Sequence, residues 1–289
     1  MAGQKHHYLP EFYLKQWAGP DGRLCEYARP YDKVKAQMKH PGGTGYVRGL
    51  YTLKGVPPEL EDAFENQFLS IADGTAAVAL RIMLDDRKIP PMREKWAWVR
   101  FILTLIHRNP EGVERNFAKL KACFDGERVR ELLKDYDKLK QKDDPPTAEE
   151  WLERNKDRVA EISKLEVMAN VMQSELVGNR LLSMCWHLGR FENLKHTILT
   201  SDRPIIMTNG LKADDSHMVM ALSPQHMLVI AATEKVAKEV TSMPSLEIVQ
   251  TWNDRMARQA RKYVYGTNNR HLRFVENRLG EKLVWSPFE

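Results

Sequence analysis

The residues of this chain whose types and spacing could do chemistry are two adjacent histidines, one acidic strand break and a stripe of arginines. His6 and His7 stand just ahead of Pro10, where an imidazole in its neutral form could serve as a general base or a metal ligand. Adjacent residues of an extended segment point to opposite faces, so one of the pair at most faces a given site. Asp202 lies in Thr200-Ser201-Asp202-Arg203-Pro204, a loop position from which rigid strand ends can present a carboxylate. The alternative there is a turn, with the Ser201 and Asp202 side chains capping their own backbone amides. Arg100, Thr104, His107 and Arg108 recur at i, i+4, i+7 and i+8, one stripe of a helix that is otherwise apolar. Guanidinium groups on such a helix need carboxylates, carbonyls or a bound anion, and Asp202 or Glu11 could supply the charge. These groups sketch a hydrolase acting on a phosphodiester. His6 or His7 would be base or metal ligand, Asp202 would orient it or hold a divalent ion, and Arg100 or Arg108 would neutralise phosphate charge. His107 lies within the same stripe.

The elements that must position these groups are punctuated by prolines and glycines. Pro10 to Ala18 reads as a two-turn helix ended by Gly19-Pro20, followed by strands in Leu24 to Tyr27 and Tyr46 to Leu53. Pro57-Pro58 opens a helical stretch, and Arg93 to Asn109 is apolar on nearly every side, so it is a buried helix. Thr147 with Glu150 has capping-box spacing ahead of a long helix, and Val171 to Leu188 reads as another. Beyond Gly189 the β signal returns in Thr197 to Thr200, Pro204 to Thr208, His217 to Leu222 and His226 to Ala232. A last helix, Leu246 to Tyr265, has Arg255, Arg258, Arg261 and Lys262 on its polar face. Leu272 to Val275 and Lys282 to Trp285 read as a closing hairpin. The expected class is α+β: one sheet of N- and C-terminal strands in a single domain over 1–289, covered by an all-helical block over 57–190. A charged surface excursion at 111–145 belongs to that block.

Composition narrows the classes. Cys25, Cys123 and Cys185 form no CxxC pair, which speaks against a disulfide framework or a cysteine zinc site and fits a reducing cytoplasm. No signal peptide or membrane span is expected, Trp96 to Ile106 being too short to cross a bilayer. The formal charge of +5 is unevenly spread, with nine Lys/Arg against four Asp/Glu in residues 1–55 and eight against four in 252–289. If the ends meet they form a basic surface, and Arg255, Arg258, Arg261 and Lys262 could then bind nucleic acid or another phosphate-bearing ligand. Phosphate-loop, dinucleotide and zinc-helix signatures do not occur in the sequence.

The stretch His6-His7-Tyr8-Leu9-Pro10, with Tyr13-Leu14 and Trp17, resembles the opening signature of a bacterial family, domain of unknown function 4238. Its pattern is close to HHY-[VIL]-P-x-x-Y-L-x-x-[FW]. The resemblance extends to Ile106-His107-Arg108, where the family pattern has Gln in place of His107. It continues through Thr200-Ser201-Asp202-Arg203-Pro204, with Arg203 in place of Asn, then Leu222-Ser223-Pro224, Asn253 and Tyr263-Val264-Tyr265. It implies a shared architecture and no established reaction. Two other expectations stand beside the hydrolase: non-enzymatic nucleic-acid binding, and a protein-interaction or sensing component of bacterial defence.

Overall fold

A computed structural model describes residues 3–123, 134–192 and 196–281. The chain opens with strand β1 (Lys5–His7), helix α1 (Glu11–Leu14) and a 3-10 turn (Lys15–Trp17), with Pro10 at the N-cap of α1 as its locked φ favours. Strands β2 (Leu24–Ala28), β3 (Lys35–Lys39) and β4 (Tyr46–Arg48) follow.

The helical block begins with a π-helical turn, Phe64–Leu69, that runs into α2 (Ser70–Leu84), and continues through α3 (Met92–His107) and α4 (Pro110–Cys123). After α5 (Tyr136–Leu139) come α6 (Ala148–Met172), capped as expected by Thr147 on the Glu150 amide, and α7 (Glu175–Ser183). α3 is the core helix anticipated from its composition: Trp98, Val99, Phe101, Ile102 and Leu103 are all buried. Part of the charged excursion and the segment Lys282 to Trp285 lie outside the described residues.

The C-terminal half contains β5 (Cys185–Arg190), β6 (Thr200–Ser201), β7 (Ile205–Thr208), β8 (His217–Ser223) and β9 (His226–Ala231). Helices α8 (Glu234–Thr241) and α9 (Ser245–Gln259), strand β10 (Tyr263–Gly266) and α10 (Leu272–Glu276) complete it. Antiparallel sheets and a helical block make this an α+β protein. The strands divide among three sheets where one was expected: β1-β4, β3-β2-β10-β6 and β5-β9-β8-β7. The middle sheet is the one shared by both ends of the chain, because β10 pairs with β2 on one side and β6 on the other.

Three local expectations are corrected and one strand that was not expected is added. The last long helix stops at Gln259, because Tyr263 to Gly266 pair into the sheet and sheet pairing overrides a helical period that runs on through Tyr263 and Val264. Leu272 to Val275 is helical, not a hairpin strand. The helix read over Val171 to Leu188 ends at Ser183, since Cys185 to Arg190 pair with β9. Lys35–Lys39, too polar to announce itself, is the edge strand β3. Pro58–Leu84 is long and apolar enough to cross a membrane by length and composition alone. Here it buries Ala72, Ala76, Ala79, Leu80 and Met83, and Asp73 within it pairs with Arg108 beside α3.

Tertiary contacts fasten the opening segment to the C-terminal half. The Tyr13 hydroxyl lies 2.9 Å from Thr200 Oγ1 and donates to the Ala221 carbonyl, and Trp17 Nε1 donates to the Ile198 carbonyl at 2.8 Å. Tyr13, Leu14 and Trp17 are fully buried. Each such side chain is worth about 1.5–3 kcal/mol of transfer free energy, which holds the segment from Tyr13 to Trp17 against the C-terminal half.

Candidate functional site

The sequence-identified groups separate into two places. The first is a buried polar cluster where β1, the π-helical turn, α2 and the end of α3 meet. Strand alternation places His6 inward, at 0% exposure, and leaves His7 half-buried on the other face. His6 stacks on the Tyr51 ring, with centroids 5.3 Å apart, and its Nδ1 accepts the Tyr51 amide at 2.9 Å. With Nδ1 accepting, the proton of the neutral ring sits on Nε2, which is 3.0 Å from Asp62 Oδ1 though off the ideal hydrogen-bond line. Burial holds His6 below the usual histidine range, against the opposing pull of Asp62. His7 is also held low by burial, although the Glu11 carboxylate and the Gly42 carbonyl pull it up. The Arg108 charge reaches its ring, and its Nε2 is buried without a partner.

Arg108 caps α3 with 0% exposure. Its Nη1 donates to Asp73 Oδ1 at 2.9 Å and Oδ2 at 3.1 Å, and the guanidinium lies 5.5 Å from the Phe101 ring centroid. The Tyr51 hydroxyl donates to the Arg108 carbonyl, so one tyrosine ties His6 to the end of α3. Arg108 Nε and Nη2 are buried with no acceptor, and Glu65 Oε2 in the π-helical turn is likewise buried and unpartnered. Burial raises the Glu65 carboxyl to about 7, and the Arg108 charge and the His7 amide beside it only partly offset that. The anticipated counter-charge for the arginine, Asp202 or Glu11, is therefore replaced by Asp73, with Glu65 nearby. The readable signal was a single acid in the apolar run of α2 and acids spaced i, i+3 at Asp62 and Glu65.

The second place is a cleft of about 180 Å³ lined by Tyr8, Glu111, Asp202, Arg203, Arg261 and Lys262 among others. His6 and His7 do not line it. Asp202 is 7% exposed and spends both oxygens on backbone amides: Arg261 on Oδ1 at 2.9 Å, Lys262 and Tyr263 on Oδ2 at 2.7 and 3.1 Å. Burial raises its pKa and the three amides pull it back. A carboxylate so occupied anchors the start of β10 and is not placed to orient a histidine or hold an ion. Ser201 Oγ accepts the Arg203 amide, the turn foreseen as the alternative reading.

The remaining candidates disperse. Arg100 lines a different cleft, of about 330 Å³, with Thr75 and Val78 of α2. His107 Nδ1 lies 3.5 Å from Asn116 Nδ2, and the Thr104 hydroxyl is turned onto the Phe101 carbonyl. The basic face does not stay one face either. Arg261 pairs with Glu111, as does Arg203, while Arg258 pairs with Asp254 and Glu281. Lys262 is exposed beside the Asp202 cleft, whereas Arg255 opens onto another cavity. Among the described residues no group of three or more His, Cys, Asp or Glu is spaced to hold a metal ion.

A family described as Protein of unknown function (DUF4238) matches residues 5–270. The chain belongs to this family. The match takes in β1, the whole helical block and β10, so both polar places and the shared sheet fall inside it. No curated protein and no solved structure matches the chain.

Proposed function

We propose that this DUF4238 protein is a hydrolase of a phosphate ester, with its site at Arg108, Glu65 and His7. The observation that carries the reading is the fully buried Arg108 guanidinium with two donor nitrogens unspent, next to a carboxyl whose pKa is about 7. The idle Nε–H and Nη2–H are neighbouring arms of a planar fork that matches two oxygens of a phosphate, and charge-assisted bonds of this kind are about twice as strong as neutral ones. Glu65 at about 7 is poised to give up a proton at neutral pH, and neutral His7 has a free nitrogen to accept one.

In the reaction, a water oxygen attacks phosphorus while His7 Nε2 takes its proton. The ester P–O bond breaks, and the departing oxygen receives the Glu65 proton. Arg108 carries the charge that builds on the phosphoryl oxygens. His6 and Asp62 act as positioning residues, holding Tyr51 and β1 against the site. Because Arg108 is buried, the ligand presents a terminal or flipped-out phosphate, not the regular backbone of a duplex.

The test is hydrolysis of bis-p-nitrophenyl phosphate, p-nitrophenyl phosphate and end-labelled single-stranded oligonucleotides, with and without Mg²⁺ or Mn²⁺. Glu65→Gln is expected to lower the rate by about 100-fold with an unchanged circular dichroism spectrum. Since the protonated acid is the active form, the wild-type rate should fall as pH rises through about 7. Turnover that is undiminished in Glu65→Gln, or a wild type inert on every substrate, defeats the reading.

A further inference from the structure

We propose that the cavity between α9 and α10 is a nucleotide-binding cleft that recognises a stacked base joined to a phosphate. Its volume of about 780 Å³ is within the range of small-molecule sites, roughly 300–1,000 Å³. It is remote in composition from the proposed hydrolytic cluster and shares no lining residue with it.

One wall is a run of flat groups. The His196 and His271 rings are 5.9 Å apart, His271 meets Phe274 edge-on at 6.2 Å, and the Arg278 guanidinium lies 3.8 Å over the Phe274 ring. Asp254 accepts from Arg278 Nε at 2.6 Å, which fixes that guanidinium as a plane and not a swinging arm. Burial, with the neighbouring His196 adding to it, holds His271 below the usual histidine range, so it presents a neutral ring to the cleft. Aromatic and guanidinium planes of this kind are what a nucleobase stacks on, at about 1–3 kcal/mol per base.

The phosphate half of the ligand is met by Arg255 and Arg270. Both line the cleft, both are exposed, and neither pairs with a carboxylate among the described residues. The contrast with Arg258, Arg261 and Arg278 matters, since those are already matched by Asp254, Glu281 or Glu111. Three arginines face a single lining carboxylate, Asp254, so the field inside favours an anion. Gln250, Thr251 and Asn268 add neutral donors and acceptors suited to the edges of a base. An inorganic anion would use the arginines and leave the aromatic wall idle; a nucleotide uses both.

Calorimetric titration of the whole chain with adenosine 5′-monophosphate, adenosine, inorganic phosphate and a single-stranded hexathymidylate tests this. The monophosphate is expected to bind at least tenfold more tightly than adenosine or phosphate. Arg255→Gln and Arg270→Gln, both on the surface, should each weaken it about tenfold and flatten its salt dependence. Phe274→Leu should weaken the monophosphate while leaving phosphate binding unchanged. Tighter binding of the hexathymidylate than of the monophosphate assigns the cleft to a nucleic-acid strand, and the reverse assigns it to a free nucleotide; both support it. No saturable binding of either, or binding that no variant alters, overturns it.

Discussion

At the scale of single residues, Arg108 governs the polar interior. A guanidinium does not lose its charge in a protein, so burying it commits the fold to a partner carboxylate. Asp73 fills that role from α2, and the desolvation of both charges is offset only while they stay together. Arg108→Met should therefore cost about 3 kcal/mol in urea unfolding, largely because the partly buried Asp73 is left uncompensated. Adding Asp73→Asn to Arg108→Met should recover part of that loss. A double variant no more stable than Arg108→Met would show that the pair is not the cause. The need for a counter-charge was legible in the sequence, because a buried helix carried an arginine. Its identity was not, since a lone acid in the apolar run of α2 does not say which distant guanidinium it will meet.

At the scale of elements, Asp202 decides where α9 ends and β10 begins. Residues after Gln259 can continue a helix only if their amides find helical carbonyls, and the amides of Arg261, Lys262 and Tyr263 are taken by this carboxylate. Asp202→Ala removes three charge-assisted bonds from part-buried amides, so a loss of about 3 kcal/mol is expected. The amides of 261–263 should then exchange with deuterium much faster than those of β8 and β9. Equal protection in wild type and variant would remove Asp202 as the anchor. The Thr200 to Pro204 break was recognisable from its residue types, whereas its carboxylate's long-range targets were not, because they lie in a segment whose helical period masks a strand.

At the scale of the whole molecule, the central sheet is made of pieces from opposite ends of the chain. β10 stands between β2 and β6, and Tyr13 and Trp17 add hydrogen bonds from the opening segment to Thr200, Ala221 and Ile198. Ending the chain after Gln259 should separate β2-β3 from β6 and abolish cooperative thermal unfolding, followed by circular dichroism. A truncated chain that still melts in one sharp transition would contradict this picture. The basic ends do meet, as the charge distribution suggested they could. Part of their charge is spent internally: Lys39 on Glu26, Arg261 on Glu111, Arg258 on Asp254 and Glu281, and Arg278 on Asp254. Arg255 and Arg270 are the arginines lining the cavity between α9 and α10 that no carboxylate among the described residues pairs, so they are open to an external anion.

By itself, the sequence determined what depends on near neighbours: the proline-led entry to α1, the Thr147 cap, the apolar core of α3, the alternation that sends His6 and His7 to opposite faces, and the α+β class. Those features follow from backbone sterics, capping and hydrophobic period, which act over a few residues. Tertiary structure alone decided the division into three sheets, the pairing of Arg108 with Asp73, the placing of Glu65 beside them, and the separation of Asp202 from the histidines. Each of these depends on which distant segments share a desolvated space, and burial there sets both the partner a charge must find and the pKa it adopts.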